Sequence, residues 1–269
     1  MRRRPGLAVL TLAVACTVVV ACAEENSDTG VITIGVAAAP SLSAAFTEII
    51  GDFEAGNPGV RVTMELGRSN EIAESLRGRT DINIFASASE EAMDRVVADG
   101  VAVDPQVFAR NYVVLAVPSG NPRGVTGLKD LEREDLRVAL CEVSVPCGRA
   151  ASALLAAADV TPPAEVERAA GSRALTAQLA DNAVDVGVVY RTDVASSHGW
   201  ATEVDVDARD RELEQEAGTT RYTLARVPGG DAGPDAEAEA AAADEFAAMV
   251  FSSRGRLALQ NSGLAAGPA

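Results

Sequence analysis

The chain has 269 residues, of which 48% are hydrophobic and only 4% aromatic, so it can bury a large core but has few rings on which sugars or bases could stack. Its formal net charge of −16 would repel nucleic acid and anionic lipid surfaces, which excludes both as binding partners. An anionic ligand would bind only where local donors outweigh this distant field, which salt screens over about 8 Å.

The first 22 residues have the pattern of an export signal. Three arginines at positions 2–4 precede the apolar run Leu7 to Ala21, which is shorter than the roughly 20 residues that span a bilayer. The last four residues of this segment, VVAC (19–22), resemble a bacterial lipobox, which implies cleavage before Cys22 and lipid attachment to its sulfur. A secretory signal without a lipid is the alternative. Residues 23–30 would form a polar tether.

Removal of the leader takes away three of the 23 basic residues and none of the 39 acidic ones, so the mature chain would have a formal charge of −19. Two cysteines, Cys141 and Cys147, remain in the body of the chain and are six residues apart. In an exported protein, such a pair is expected to form a disulfide, with a redox switch as the alternative. Zinc is not expected, because the single histidine, His198, is distant in sequence.

Short β-branched runs alternate with amphipathic segments along the chain, which is typical of strand–helix–strand units on a mainly parallel sheet. The first half predicts strands at 31–37, 60–66, 82–87 and 112–118 and helices at 42–54, 72–76 and 90–99. A smaller second set predicts strands at 136–140, 184–190 and 220–227 and helices at 149–158, 174–180 and 235–251, the last introduced by Gly233 and Pro234. The sequence therefore predicts an α/β protein of two units, with a cleft that closes by hinge motion.

Four predicted strand-to-helix junctions carry a small residue where the helix begins. These junctions contain Ser41, Ser69, Cys147 with Gly148, and Ser172 with Arg173. The first amides of a helix are unpaired and lie at the positive end of its dipole, so such junctions can bind anions. Each junction alone is best explained as an ordinary helix cap, and only their number in one chain points to an anion site.

From about residue 31 to 264, the order and spacing of these motifs resemble those of the periplasmic molybdate-binding proteins. The matching motifs are Ser41-Leu42 after a run of alanines, Ser69 in RSNEIA (68–73), VPCG (145–148) and GVVY (187–190). The resemblance implies that the oxyanion is bound by the hydroxyls of Ser41, Ser69 and Tyr190 and by the backbone NH groups of Ser41, Ser69, Cys147 and Ser172. We expect the disulfide to clamp the loop that contains Cys147, because preorganising a binding loop reduces the ordering cost of binding.

The resemblance further implies a type II periplasmic-binding-protein fold, with mainly parallel sheets and a hinge of two crossing strands. Lobe 1 would comprise residues 31–111 and 226–269, and lobe 2 residues 112–225. The protein would capture molybdate or tungstate outside the cytoplasm, held by its lipid at the outer face of the cell membrane, and deliver the anion to the membrane permease of an ABC transporter. We expect a monomer without a cofactor, without direct metal-cation ligands and without catalysis.

Neutral donors favour a fully deprotonated dianion, because every oxygen of molybdate can accept, whereas hydrogen phosphate carries a proton that needs an acceptor. Sulfate passes this test and would have to be excluded by its smaller size. The sequence departs from the family pattern at Pro40, Arg68, Asn70 and Glu71. Glu71 would oppose a bound dianion unless it pairs with Arg68 or faces solvent.

Two alternatives therefore stay open: a binding protein of the same fold for another anion or a small organic acid, and a lipoprotein enzyme or interaction module on this fold. His198 lies in a polar segment and is expected to be exposed, and neither a GxSxG motif nor a Walker loop is present. Asp81, Asp185 and Asp193 flank predicted strands and are expected to form caps and turns.

Overall fold

The computed structural model describes residues 30–229 and 235–267. The predicted signal peptide and lipobox (1–22) with Cys22, the tether residues 23–29, and Gly233 and Pro234 lie outside the described residues. The chain divides into the segment 1–30 and one compact unit, Val31–Ala269, whose fold is given below. In the part of the chain that the structure describes, no helix has the length and apolar character needed to cross a membrane.

Strands and helices alternate through most of the compact unit. The strands are β1 (Ile32–Ala38), β2 (Val60–Leu66), β3 (Ile84–Ser87), β4 (Val103–Asn111), β5 (Val113–Pro118), β6 (Val138–Cys141), β7 (Glu167–Ala169), β8 (Val186–Tyr190), β9 (Ala201–Glu203), β10 (Thr220–Arg226) and β11 (Ala265–Ala266). The α-helices are α1 (Ser43–Gly56), α2 (Ser69–Ser75), α3 (Glu90–Ala98), α4 (Pro146–Ala158), α5 (Ser172–Ala180), α6 (Arg191–Ala195), α7 (Ala208–Glu216), α8 (Ala236–Phe251) and α9 (Ser253–Asn261), and short 3-10 helices span Pro40–Leu42 and Leu128–Glu132.

The first sheet has six strands in the order β11-β4-β10-β3-β1-β2. Strands β1, β2 and β3 are parallel, and β1 lies between the other two. Because β1 is covered on both faces, its sequence ITIGVAA is almost continuously apolar rather than alternating. Helices α1 and α8 pack on this sheet through Phe46, Phe53 and Phe246, and the rings of Phe53 and Phe246 meet edge to face at 5.3 Å.

The second sheet has five strands in the order β7-β6-β8-β5-β9. Strand β6 is parallel to β7 and β8, while β5 is antiparallel to β8 and β9. Its core contains Leu115, Leu128, Leu154 and Val186, all with less than 1% of their surface exposed. The two sheets, each flanked by helices, confirm the predicted α/β architecture.

Both sheets are mixed rather than mainly parallel. Three neighbouring strands of each sheet are parallel, but β5 and β10, by which the chain enters the second sheet and returns to the first, run antiparallel to them, whereas β4 runs in the same direction as β1, β2 and β3. Strand β4 in the first sheet is separated from β5 in the second by Tyr112 alone, and the chain returns to the first sheet at β10. The chain enters each sheet from the end opposite to the one at which the strand–helix units enter it. Strands β5 and β10 therefore run in the reverse direction.

The return passage depends on Gly218, which lies between α7 and β10. Its φ of 106° falls in a region that is costly for residues with a Cβ, and an added Cβ would lie 2.7 Å from the carbonyl oxygen of Ala150. After this turn, β10 pairs along its length with β3 and β4, so residues 220–226 belong to the first sheet. The boundaries of the two lobes, with the chain crossing near residues 112 and 225, remain a prediction from the strand pattern.

Strands β4, β7 and β9 and helices α6 and α7 are among the elements that were not predicted. The reasons are identifiable for β4 and α7. Strand β4 contains Pro105 and has Asp104 at a φ of 52°, and mainly its last residues are buried, so it lacks an alternating apolar pattern. Helix α7, with sequence ARDRELEQE, buries only Glu214 and shows no apolar face. A helix that buries a carboxylate cannot be recognised from hydrophobic periodicity.

The buried carboxyl group of Glu214 should make the stability of the protein depend on pH. Its carboxylate is fully buried and accepts a hydrogen bond of 2.8 Å from the Leu115 NH, and burial raises its pKa from 4.5 to about 7. The ionised form is therefore disfavoured in the folded protein. Glu214→Gln removes this cost, so its stability relative to the wild type should increase between about pH 4.5 and pH 7 and then level off, reaching on the order of 3 kcal/mol.

This effect is measurable by urea denaturation at pH 5 and pH 8. Glu212→Gln is the matched control, because Glu212 lies on the same helix with its side chain exposed. The difference between the Glu212→Gln variant and the wild type should not change with pH. An equal pH dependence for both variants would contradict the role given to Glu214.

Candidate ligand-binding site

A cavity of about 800 Å³ lies among the connections that follow the strands of both sheets. The residues that line it are Pro40, Ser41, Ser43, Ala44, Ala88, Asn111, Pro146, Ala170, Gly171, Ser172, Arg173, Ala174, Tyr190, Thr192, Asp193, Ser196, Thr220, Tyr222 and Ser262. Several follow the carboxyl ends of the parallel strands β1, β3 and β8, where ligands of open α/β sheets usually bind. The location and the small polar lining suit a small polar ligand.

Ser41 and Tyr190 bring predicted hydroxyl groups to this cavity from different sheets. Ser41 lies in the 3-10 helix after β1, and its Oγ is 2.8 Å from the Tyr222 hydroxyl. Tyr190 ends β8, and its hydroxyl is 3.4 Å from the Thr220 Oγ1. Burial raises the pKa of Tyr190 above its ordinary value near 10, so its hydroxyl keeps its proton at neutral pH and can donate to an anion.

Ser172 lines the cavity, and its hydroxyl has partners within the protein. Its Oγ accepts a hydrogen bond of 2.8 Å from the Tyr190 NH, and its hydroxyl is hydrogen-bonded to the Asp193 carboxylate. The hydroxyl is thus engaged within the protein. The Ser172 NH is the first amide of α5 and has no partner within the helix, so it is the group of Ser172 that can face a ligand.

Ser69 and Cys147 do not line the cavity themselves, but an immediate partner of each does. Ser69 begins α2, and its buried Oγ accepts a hydrogen bond of 3.0 Å from the NH of the cavity residue Ala88. Cys147 is 3% exposed and follows the cavity residue Pro146 in the first turn of α4. The structure therefore brings Ser41, Ser172 and Tyr190 together and places the other two at the margin.

The predicted disulfide between Cys141 and Cys147 is present, with the two Cα atoms 5.9 Å apart. It joins the end of β6 to the first turn of α4 and so closes the loop before this helix. Gly148 is required at the same turn, because an added Cβ would lie 1.9 Å from the carbonyl oxygen of Glu142. The cross-link and the glycine together hold the start of α4 against the end of β6.

The charged departures from the family pattern point away from the cavity. Arg68 and Glu71 form an ion pair of 3.5 Å, and their side chains are 83% and 66% exposed. Asn70 accepts a hydrogen bond of 3.1 Å from the Arg95 guanidinium. Only Pro40 among the departures lines the cavity. Glu71 therefore faces solvent and does not oppose an anion there.

Asn111, Thr192 and Tyr222 are cavity residues that the sequence did not reveal. The Asn111 Nδ2 donates to the Thr192 Oγ1 at 3.0 Å and to the Tyr222 hydroxyl at 3.4 Å. Tyr222 also contacts Ser41, so the network joins β4, β10, α6 and the 3-10 helix. The one usable signal in the sequence was the position of Tyr222 within the predicted strand 220–227. The alternating pattern of that strand does not show what the tyrosine contacts.

Asp193 was expected to form a cap or turn, and it does lie in the first turn of α6, but it also lines the cavity. Asp193 and Arg173 are the charged residues among those that line it. Burial raises the pKa of Asp193, while its hydrogen bond to Ser172 and the charge of Arg173 act in the opposite direction. The cavity therefore combines several uncharged donors with the Arg173 guanidinium and one carboxylate that is costly to ionise.

The other acidic residues considered from the sequence lie elsewhere. Asp81 pairs with Arg79, which lowers the pKa of the Asp81 carboxyl, and Asp185 pairs with Arg137, which lowers the pKa of the Asp185 carboxyl. His198 is exposed in a turn with a φ of 54°. Over residues 30–229 and 235–267, no group of three or more His, Cys, Asp or Glu side chains is placed to hold a metal ion.

A family model of bacterial extracellular solute-binding proteins matches residues 34–265, and the chain belongs to that family. Among relatives, the molybdate-binding protein ModA of Mycobacterium tuberculosis H37Rv is 34% identical over 238 residues, which cover 88% of this chain and 85% of the relative. The resemblance to molybdate-binding proteins that the motifs indicated is thereby confirmed.

Solved structures agree on the fold. The substrate-binding domain assigned to a molybdenum ABC transporter of Clostridium difficile has a TM-score of 0.74 at 20% identity, covering 88% of this chain and all of that domain. The periplasmic molybdate-binding protein of Azotobacter vinelandii has a TM-score of 0.59 at 17% identity, with 88% and 100% coverage. The predicted periplasmic-binding-protein fold is confirmed by these matches.

Proposed function

We propose that this chain is the extracytoplasmic binding component of an ABC importer and that its cavity binds molybdate or tungstate. The observation that supports this most is the convergence of uncharged donors, the Ser41 and Tyr190 hydroxyls and the first amide of α5, on one cavity built from both sheets. Such donors suit a small oxyanion with no proton of its own. The 34% identity to a molybdate-binding protein supports the same ligand.

The complete binding shell in this proposal is Ser41, Ser69, Cys147, Ser172 and Tyr190. Ser69 and Cys147 lie at the cavity margin, and a hinge closure between the two sheets would bring their amides toward the ligand. Hydrogen bonds to a charged partner contribute about 1.5–3 kcal/mol each, so four or more of them are compatible with submicromolar affinity after ordering costs. The disulfide would reduce those costs by holding the loop before α4.

The remaining parts of the proposal concern the cell. The protein would be anchored by a lipid on Cys22 at the outer face of the membrane and would act as a monomer of two lobes, joined where the chain leaves the first sheet near residue 112 and returns to it at β10. The closed form would deliver the anion to the permease without catalysis. The lipobox-like sequence at 19–22 and the family of extracellular binding proteins support this location.

A thermal-shift screen of the chain from residue 23 tests the ligand class. A ligand present at about 100 times its Kd should stabilise the fold by about 2.7 kcal/mol, which corresponds to a rise in Tm of roughly 5–10 °C for a protein of this size. Molybdate and tungstate are expected to produce this rise, and sulfate, phosphate and small carboxylates are not. If none of these anions raised the Tm, the proposal would be contradicted.

Asp193 favours one second candidate, a binding protein for an anion that carries a proton. Hydrogen phosphate or an organic phosphate needs an acceptor for its hydroxyl, and an ionised Asp193 could accept that hydrogen bond. In this case the screen would show stabilisation by phosphate or an organic acid, with little effect of molybdate. The two candidates thus predict opposite rankings in one experiment.

A further inference from the structure

A buried amide begins a chain of hydrogen bonds that ends at the cavity. Asn111 is 2% exposed, and its Nδ2 lies 3.4 Å from the hydroxyl of Tyr222, which is 3% exposed. The Tyr222 hydroxyl lies 2.8 Å from the Ser41 Oγ. Asn111 and Tyr222 come from β4 and β10, which are paired in the first sheet, so the two groups are held by the sheet rather than by a loop.

The chemistry of the amide sets the direction of this chain. An amide nitrogen can only donate, so the Tyr222 oxygen accepts from Asn111 and the Tyr222 proton is directed to the Ser41 Oγ. The Ser41 oxygen is then an acceptor within the protein, and its own proton is left for the cavity. The same nitrogen donates to the Thr192 Oγ1 at 3.0 Å, which leaves the proton of that hydroxyl free as well.

The pKa of Tyr222 is raised by burial, with the hydrogen bonds to Ser41 and Asn111 acting in the opposite direction. The phenol therefore stays protonated at neutral pH and can donate. A deprotonated phenolate would accept from Ser41 and abolish the arrangement. The hydroxyl of Tyr222 thus remains a fixed link between the buried amide and the cavity.

We propose that Asn111 and Tyr222 are positioning residues that orient the Ser41 hydroxyl as a donor toward the ligand, a role that rests on the proposed binding of a fully deprotonated oxyanion. The arrangement selects ligands that accept at this position and disfavours ligands that present a proton there. The opposite orientation of the Asn111 amide would reverse the chain, so that Ser41 donated to Tyr222 and presented a lone pair to the anion. The two directions predict opposite effects of removing the Tyr222 hydroxyl.

The test is a double-mutant cycle on the full chain, with sodium molybdate titrated by calorimetry. Tyr222→Phe keeps the ring that packs edge to face on Phe108 and removes only the hydroxyl. It is expected to weaken molybdate binding about tenfold in the wild-type background and less than twofold in the Ser41→Ala background, because its effect is transmitted through Ser41. A merely structural role of Tyr222 would weaken binding equally in both backgrounds.

Two further variants strengthen the test. Tyr112→Phe is the control, because Tyr112 is also buried but does not line the cavity, and its affinity should stay within twofold of the wild type. Asn111→Asp replaces the donor by an acceptor of nearly equal size. Its loss of affinity should be larger when Ser41 is present than in Ser41→Ala, since the added charge acts in both backgrounds and cancels in the comparison.

Tighter or unchanged molybdate binding by Tyr222→Phe, or an equal loss of affinity in both backgrounds, would overturn the proposed positioning role. The proposed function would still stand as long as the wild-type protein binds molybdate. A wild-type protein that gives no heat with molybdate would overturn both. Should Tyr222→Phe fail to fold, as judged by its apo melting curve, the Asn111→Asp comparison alone decides, because unequal losses support the role and equal losses reject it.

Discussion

Removing the Tyr190 hydroxyl with Tyr190→Phe, or the Ser41 hydroxyl with Ser41→Ala, is expected to weaken molybdate binding by about 10- to 100-fold in each case. Each change deletes one neutral donor to a doubly charged ligand, and such a bond contributes about 1.5–3 kcal/mol. Both hydroxyls line the same cavity, but they come from different sheets. Isothermal titration of the two variants at constant ionic strength measures the effect.

Two variants control for loss of a hydroxyl in general. Ser196 also lines the cavity, but its hydroxyl donates to the Thr192 carbonyl at 2.8 Å, so Ser196→Ala should bind molybdate with nearly unchanged affinity. Tyr112→Phe removes a buried phenol outside the cavity and should behave in the same way. Wild-type affinity in both Ser41→Ala and Tyr190→Phe would show that neither hydroxyl binds the anion.

Asp193→Asn is expected to act in opposite directions on two ligand classes. The asparagine keeps an oxygen that can accept the Ser172 hydroxyl but removes the negative charge from the cavity. Molybdate should bind several-fold to about tenfold more tightly, because a like charge next to the dianion is lost. Hydrogen phosphate, which would need the carboxylate as an acceptor, should bind no better or more weakly.

The pH dependence of molybdate binding provides an independent check on Asp193. Burial raises the pKa of this carboxyl, so the neutral form persists above the ordinary titration range of an aspartate. Protonation removes the opposing charge, and the affinity of the wild type should therefore fall as the pH rises through the raised pKa, whereas Asp193→Asn should show a smaller change. Asp181→Asn makes the same change of net charge at an exposed residue and should resemble the wild type. A pH profile of Asp193→Asn identical to that of the wild type would refute this role.

The parts of the fold that could be predicted are the segments whose apolar sequence pattern matches their burial in the folded protein. Strands β1, β2 and β3 and their helices are strand–helix units in which apolar runs end at turn residues, and they lie within a few residues of the predicted bounds. Strand β4 and helix α7 differ, because a proline, a residue with positive φ and a buried carboxylate conceal their burial. A segment that is buried only because a distant segment packs against it carries no local sequence pattern of that burial.

The candidate site divides in the same way. Ser41, Ser172 and Tyr190 follow strand ends, so their motifs locate them at the edge where the sheets face the cavity. Asn111 and Tyr222 are separated by 111 residues and meet only because β4 pairs with β10, a register that the sequence does not specify. Whether Ser69 and Cys147 join the shell depends on the relative position of the two sheets, which local motifs do not determine.

The most direct measurement is a crystal structure of the protein with sodium molybdate, using anomalous diffraction at the molybdenum edge to locate the anion. We predict one strong peak in the cavity, with ligand oxygens within hydrogen-bonding distance, about 2.7–3.2 Å, of the Ser41 Oγ, the Tyr190 hydroxyl and the Ser172 NH. An anomalous peak outside the cavity, or none at saturating molybdate, would contradict the claim that uncharged donors from both sheets converge on this oxyanion.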